Sequence, residues 1–385
     1  MTKPPYWRLA GAYFFYFAYL GAFAPYFSLY LSSLGITAAG IGILMSLPQL
    51  VRIFAPHLWG WLADRDGRML RVARIGSIAG TLLFGGLFFV SSFEAVFAVV
   101  LLMSFCLSAA LPLLESTTLS HLGAHAGRYG RVRVWGSLGF IAAVALIGTV
   151  LDFFAVAVLP WIMLAILIFA AAFLLWVPDA PRTEHAGAPS SLAGLLRKPQ
   201  VIALFSACAL MSVAHGPYYT FYSIFLVDHG YSKSAVGGLW TLGVVCEIAI
   251  FYWLAHLLRR FSLRVVLMAS FALAGLRFMI IAWCADSLAM LLFAQMLHAA
   301  SFGSFHASAL GYVNQIFSGR HQARGQAIYT SVAFGLGGTI GGLYAGSAWE
   351  NLGPGLTFSG AGLCAFVGLF ILWRNLRDAP AAAPV

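Results

Sequence analysis

Charge is scarce in this chain. Asp, Glu, Lys and Arg make up 9% of its 385 residues and apolar side chains 61%, whereas an ordinary soluble domain is about 25% charged. That supply cannot cover a water-facing surface, which excludes a soluble globular enzyme and points to a chain whose outside is as apolar as its core. Cysteine is scarce as well. The five (Cys106, Cys208, Cys246, Cys284, Cys364) all lie in apolar runs and none forms a C-x-x-C pair, so neither a disulfide framework nor a zinc site is implied. No G-x-x-x-x-G-K-[S/T] phosphate loop occurs, which weighs against a P-loop pump. No polar stretch is long enough to host nucleotide chemistry, which weighs against a membrane-embedded transferase. No cofactor and no metal are expected.

Long apolar runs are what the chain has. Breaks at charged or Pro/Gly positions delimit twelve of them: 9–32, 39–62, 72–92, 95–118, 134–152, 155–177, 200–227, 236–258, 263–284, 288–313, 322–348 and 355–373. Each is near the ~20 residues that span a bilayer, and in lipid such runs must be helices because every backbone group has to be satisfied within the segment. The expected fold is all-α and multi-pass. The long polar interruption at 178–199 divides it into an N-terminal bundle, 1–177, a cytoplasmic linker, and a C-terminal bundle, 200–385. The first run is longer than a signal-peptide core and is read as an uncleaved helix. Of 22 Lys and Arg, Lys233 alone falls in an odd-numbered loop, and Arg52 and Arg277 fall inside runs. The rest lie in even-numbered loops, the tails or run ends beside them. By the positive-inside rule both termini are cytoplasmic, in a bacterial inner membrane. The same distribution accounts for the net charge of +10 without nucleic acid.

The two halves echo each other. Trp61-Leu62-Ala63 recurs as Trp253-Leu254-Ala255, Gly127-Arg128 as Gly319-Arg320, Pro25-Tyr26 as Pro217-Tyr218, and Gly35 and Gly42 as Gly230 and Gly237, all displaced by nearly half the chain. A parallel duplication of six helices predicts a binding site between the halves, near mid-membrane.

The loop after the second run reads Gly60-Trp-Leu-Ala-Asp-Arg-Asp-Gly-Arg68, followed by Arg71 and Arg74. It resembles the G-x-L-A-D-R-x-G-R-R signature of the major facilitator superfamily. Physically, Gly67 makes a tight inter-helix turn, Asp64 caps or pairs across to a neighbouring helix end, and arginines hold the cytoplasmic face. Gly60, Asp64, Arg65, Gly67 and Arg68 are therefore a candidate conformational latch. The equivalent second-half loop, Trp253-Leu-Ala-His-Leu-Leu-Arg-Arg260, lacks the aspartate. Tyr129-Gly-Arg-Val-Arg-Val-Trp-Gly-Ser-Leu-Gly-Phe140 and Leu47-Pro-Gln-Leu-Val-Arg-Ile-Phe-Ala-Pro-His-Leu-Trp-Gly60 resemble the phenylpropionate-permease group, itself similar to the lactose permease and its oligosaccharide–proton symporter relatives. The resemblance implies a proton-coupled importer and a monomer.

Ionisable groups inside a span are costly and are functional candidates by default. Five stand out: Arg52, Glu115, Arg133, Glu247 and Arg277. Glu115 and Arg133 lie at equal distances on either side of the loop centred near residue 124, so an antiparallel hairpin brings them to one depth. Arg52 lies about 18 Å from the end of its run at Asp64, near mid-bilayer. Because it stays protonated, it needs an anion. Arg277 is about 20 Å beyond Arg264, at a depth that allows a cluster with Glu247 and His298. By resemblance to the lactose permease pattern, Glu115 and Arg133 bind substrate, and Phe140, two turns beyond Arg133, stacks on it. By the same resemblance Glu247, Arg277 and His298 couple the proton. The glutamate that this pattern carries one turn after the histidine is Ser301 here, so Glu247, Glu115 or His298 must carry the proton. His57, His215 and His306 are weaker candidates, as are the aromatic runs Tyr13–Phe17 and Tyr218–Tyr222.

Three interior arginines against two interior glutamates leave one anion missing. A small organic anion supplies it, and the aromatic lining suits an aryl carboxylate such as phenylpropionate. The expected partners are thus a small solute, a proton and the bilayer. A sugar or nucleoside symporter, with all charges paired internally, is the alternative, and a drug exporter the next.

Overall fold

A computed structural model describes residues 5–180 and 192–377. Half of the predicted linker, 181–191, and both extreme termini lie outside the described residues. Among the described residues twelve long helical rods follow one another: α1 Tyr6–Ser33, α2 Ala38–Asp66, α3 Met69–Phe88, α4 Phe93–Leu122, α5 Tyr129–Phe153, α6 Val156–Trp176, α7 Pro199–Asp228, α8 Lys233–Arg260, α9 Leu263–Trp283, α10 Leu288–Ile316, α11 322–352 and α12 Pro354–Asn375. Eleven are long and apolar enough to cross a membrane by length and composition. In α11 the run of glycines from Gly335 to Gly346 dilutes the apolar character. No strand occurs among the described residues.

The duplication is visible at the rod ends. Gly35 and Gly230 stop α1 and α7 with φ of +77° and +83°, a conformation that suits glycine because it has no Cβ. The Thr37 hydroxyl then caps α2 by accepting from Gly40 N, and Ser232, at the same displacement as the glycines, accepts from Ala235 N. Ser92 and Ser287, again at that displacement, cap α4 and α10. Side-chain caps satisfy amide groups that the first helical turn leaves unpaired. Pro25 and Pro217 occupy matching interior positions of α1 and α7.

Local sequence also interrupts rods. α2 consists of Ala38–Arg52 and Ala55–Asp66, with a break at Ile53 and Phe54. Pro56 has no N–H to give to the Arg52 carbonyl four residues back, so that turn lacks a backbone bond where the rod breaks. α10 and α11 each contain a π-type turn, Ala299–Ser304 and Thr330–Leu336, a feature that recurs at functional sites.

The chain forms two compact units, Met1–His185 with Tyr219–Thr241 and Ala186–Tyr218 with Leu242–Val385. The end of α7 and the start of α8 thus pack with the first six rods, although in sequence they belong to the second six. In the first unit α1 packs along α5 and α6. Gly21 and Gly139 admit the contact: a Cβ on either would strike the backbone of Phe140 or Phe14. In the second unit α9 packs along α12 and Gly216 of α7 meets the backbone of Gly341 in α11. Small residues allow this close approach where lipid offers no hydrophobic drive between helices. Large exposed side chains at rod ends, among them Trp7, Phe89, Phe153, Trp161, Trp283 and Trp373, suit an interfacial aromatic belt.

Candidate functional site

In the first unit, α4 and α5 bring Glu115 and Arg133 together, with Arg133 Nε 3.8 Å from Glu115 Oε1. The Tyr129 hydroxyl donates to the same oxygen at 3.1 Å. The Arg133 guanidinium lies 3.9 Å from the Phe17 ring centroid and 5.8 Å from that of Tyr13, and Tyr13 donates to Thr118 Oγ1 at 3.3 Å. Both charged side chains are about one-third exposed, 31% and 37%. An accessible pair of this kind is held weakly and can exchange one partner for a ligand oxygen.

Arg52 stands where α2 breaks. Its side chain is exposed, although it sits in the middle of an apolar rod. Tyr16 and Tyr219 are within electrostatic reach of its guanidinium, and among the described residues no carboxylate is within ion-pair distance. Tyr16 also feels Glu115 and Arg133, so one phenol on α1 connects all three charged groups. Sequence reasoning treated Tyr16 as one ring in an aromatic run. The signal available was its offset of one helical turn from Tyr13, which touches the same pair. Phe140 is half-buried, and its backbone takes up the close contact with Gly21.

In the second unit, His298 Nε2 lies 3.8 Å from Glu247 Oε2. Arg277 is fully buried, and its fork is bonded by neutral oxygens alone: Nε to Ala294 O at 3.1 Å, Nη1 to Ser301 Oγ at 3.2 Å and Nη2 to Gln295 Oε1 at 3.5 Å. Its guanidinium lies 4.1 Å from the Tyr218 ring centroid. Arg277 is thus held by Ala294, Ser301 and Gln295 beside Tyr218, while Glu247 lies against His298 instead. Ser301 serves as an acceptor for Arg277. The ring of His298 stacks on Phe302 at 5.5 Å, and Phe302 on His306 at 6.3 Å. His306 Nδ1 is 3.5 Å from the Tyr329 hydroxyl, so a ring ladder runs along α10 through its π-type turn. Sequence reasoning missed Tyr218 as a cluster member and Gln295 altogether. Gln295 precedes His298 by three residues, which places it on the same helical face.

The loop after α2 is built differently from the expectation at one point. Gly67 does make the turn, at φ +69°, with its N–H bonded to Ala63 O at 2.9 Å. The ion pairs of the motif, however, are Asp66–Arg71 at 3.4 Å and Arg74–Asp179 at 3.7 Å. The Asp64 side chain is exposed and makes no cap to another rod among the described residues. Arg65 lies 5.6 Å over Trp61, and Arg68 and Gly60 border open space. Asp64 sits one turn from Gly67 at the exposed end of the rod, with its side chain open to solvent. Among the described residues no group of His, Cys, Asp and Glu could hold a metal ion.

Comparison with known proteins agrees with this architecture. The model of the MFS_1 like family matches residues 6–359. The chain is 31% identical over 358 residues to the "Probable 3-phenylpropionic acid transporter" of Escherichia coli (strain K12), covering 90% of this chain and 92% of that protein. It is 28% identical to the "Maltose permease" of Geobacillus stearothermophilus, over 94% of this chain and 92% of its relative. Among solved structures it resembles the nucleoside transporter NupG (D323A mutant) with a TM-score of 0.87 and 20% identity, covering 96% of this chain and 99% of the other. That likeness speaks to the fold. Twelve helical rods, an internal duplication and a family match over most of the length lead to one conclusion: the chain belongs to the MFS_1-like family and is a secondary transporter of the major facilitator type.

Proposed function

We propose that this transporter imports a small aromatic carboxylate, such as phenylpropionate, together with a proton, by alternating access. The observation that carries the reading is Arg52: a permanently charged guanidinium, exposed at mid-rod, with phenols beside it and no carboxylate partner among the described residues. A solute carboxylate supplies the missing anion in the bidentate geometry that guanidinium favours. Tyr16, Glu115, Arg133 and Phe140 then line the solute's path, and Phe17 and Tyr13 offer ring faces. In the second unit Glu247 and His298, 3.8 Å apart, share the proton, and Arg277 sets the field around them. The residues 1–177 and 200–385 act as the two bundles joined by a cytoplasmic linker. The protein works as a monomer in the bacterial inner membrane with both termini cytoplasmic, and the loop Gly60–Arg68 latches one state. The similarity to a relative named for 3-phenylpropionic acid supports the solute class.

Uptake of labelled phenylpropionate into proteoliposomes, with and without an inward proton gradient, tests this. The expected result is gradient-dependent uptake that falls at least tenfold in Arg52→Ala. Absence of gradient-dependent uptake by the intact protein overturns it. A second reading, a sugar or nucleoside symporter, draws on the relative named maltose permease and on the internally closed Glu115–Arg133 pair. Competition of uptake by sugars or nucleosides, and not by carboxylates, selects that reading instead.

A further inference from the structure

We infer that Gln295 is a positioning and specificity-determining residue: it bonds Arg277 without neutralising it, and so keeps a standing positive charge inside the second unit that favours anionic over neutral solutes.

Arg277 is fully buried, a guanidinium carries a delocalised positive charge, and a backbone carbonyl, a hydroxyl and an amide oxygen each accept from one of its nitrogens. Those oxygens meet the geometric demand of the fork but bring no formal charge. Among the described residues no carboxylate is within ion-pair distance of Arg277. Glu247 faces His298 instead. Around the fork stand Tyr218, whose ring centroid is 4.1 Å away, Phe278 at 5.3 Å, and His215 and His298, which are within electrostatic reach of it.

Gln295 holds this arrangement from below. It is itself fully buried, and its Oε1 accepts from the Tyr218 hydroxyl at 3.1 Å as well as from Arg277. These two donors decide which end of the amide faces them, because the reversed amide would set donors against donors. One side chain therefore ties the guanidinium to the ring stacked on it. Its Nε2 is then turned away and, although buried, has no hydrogen-bond acceptor. Gly243 of α8 makes room for the amide: a Cβ there would lie 3.2 Å from both Gln295 Oε1 and His298 Cδ2. A glutamate fits the same volume, and its carboxylate would cancel the Arg277 charge. The choice of amide over acid at this one position sets the sign of the field in the unit's interior.

The selectivity part rests on the aromatic-carboxylate reading above, so the experiment has two arms on the purified full-length chain. In the first, thermal melting of Gln295→Glu and Gln295→Leu is compared with the wild type. A standing charge predicts that Gln295→Glu melts higher and Gln295→Leu lower. A Gln295→Glu protein that melts at or below wild type means that Arg277 is already neutralised, and overturns the inference. In the second arm, proteoliposomes are offered phenylpropionate and its uncharged isostere 3-phenylpropionamide. Gln295→Glu is expected to cut the phenylpropionate-to-amide uptake ratio at least tenfold, whereas Gln295→Leu lowers both uptakes together. An unchanged ratio in Gln295→Glu overturns the specificity role. If Gln295→Glu does not fold, Ser301→Asp brings a carboxylate to the other side of the fork and must give the same signs. A wild type that carries neither probe sinks the solute reading alone, and the direction of the melting shift still decides whether the charge stands.

Discussion

The Asp152 carboxylate accepts the backbone amides of Lys233 at 2.7 Å and Ser234 at 3.1 Å, so the last turn of α5 caps the first turn of α8. An anion is well placed there, because the unpaired amides and the aligned peptide dipoles of a helix N-terminus both favour negative charge. Tyr26 reinforces the joint by donating to Val144 O at 2.7 Å, with Lys233 O at 3.5 Å. This is why the start of α8 packs with the first unit. Asp152 is exposed, so screening limits its effect. Asp152→Ala is expected to lower stability by about 1 kcal/mol, and Asp152→Asn, which keeps one acceptor oxygen, by less. Melting curves in detergent at low and high salt check both, with the difference between wild type and Asp152→Ala shrinking as salt rises.

Two adjacent glycines of α8 should respond in opposite ways. A Cβ on Gly237 would lie 2.6 Å from the Tyr26 hydroxyl and 2.7 Å from Val144 O, whereas one on Gly238 meets open space. Gly237→Ala is expected to cost about 1–3 kcal/mol through overpacking. Gly238→Ala should be neutral or slightly stabilising, because alanine has the higher helix propensity. Paired melting measurements on the two variants separate a packing requirement from a general need for a flexible helix.

The Glu115–Arg133 pair is accessible, so its removal should affect transport far more than stability. Glu115→Gln is expected to change stability by less than about 1 kcal/mol and to reduce solute uptake at least tenfold. A melting shift as large as that of a core variant would show that the pair merely fastens α4 to α5.

Ser301 should behave in the reverse manner. Its hydroxyl accepts from Arg277 Nη1 in a site with no exposure, and Ser301→Ala leaves a buried charged donor unpaired. The expected loss is about 1–3 kcal/mol, visible as a melting shift larger than that of Glu115→Gln in the same buffer.

Much of this organisation is legible in the linear chain. Near-continuous apolar runs can only be membrane helices, and the recurrence of Pro25-Tyr26 as Pro217-Tyr218 exposes the duplication. Glu115 and Arg133 could be paired from spacing because one short loop joins their rods, so distance from the turn sets their depth. The break after Arg52 is also written locally, in Pro56, although it falls inside the unbroken apolar run 39–62. The Asp64 contact could not be read this way, since a cap depends on whether another rod end comes near.

Sequence alone determined the number of rods, where they stop and which charges lie inside them, because length, hydropathy, caps and positive-φ glycines act over a few residues. Tertiary structure decided which partners those charges found: Asp152 with the amides of α8, Gln295 with Arg277 and Tyr218, Glu247 with His298. These contacts join rods far apart in the chain and depend on how each rod is rotated about its axis. A soluble helix advertises that rotation through one apolar face; rods that are apolar on nearly every side carry no such mark, and only packing sets it.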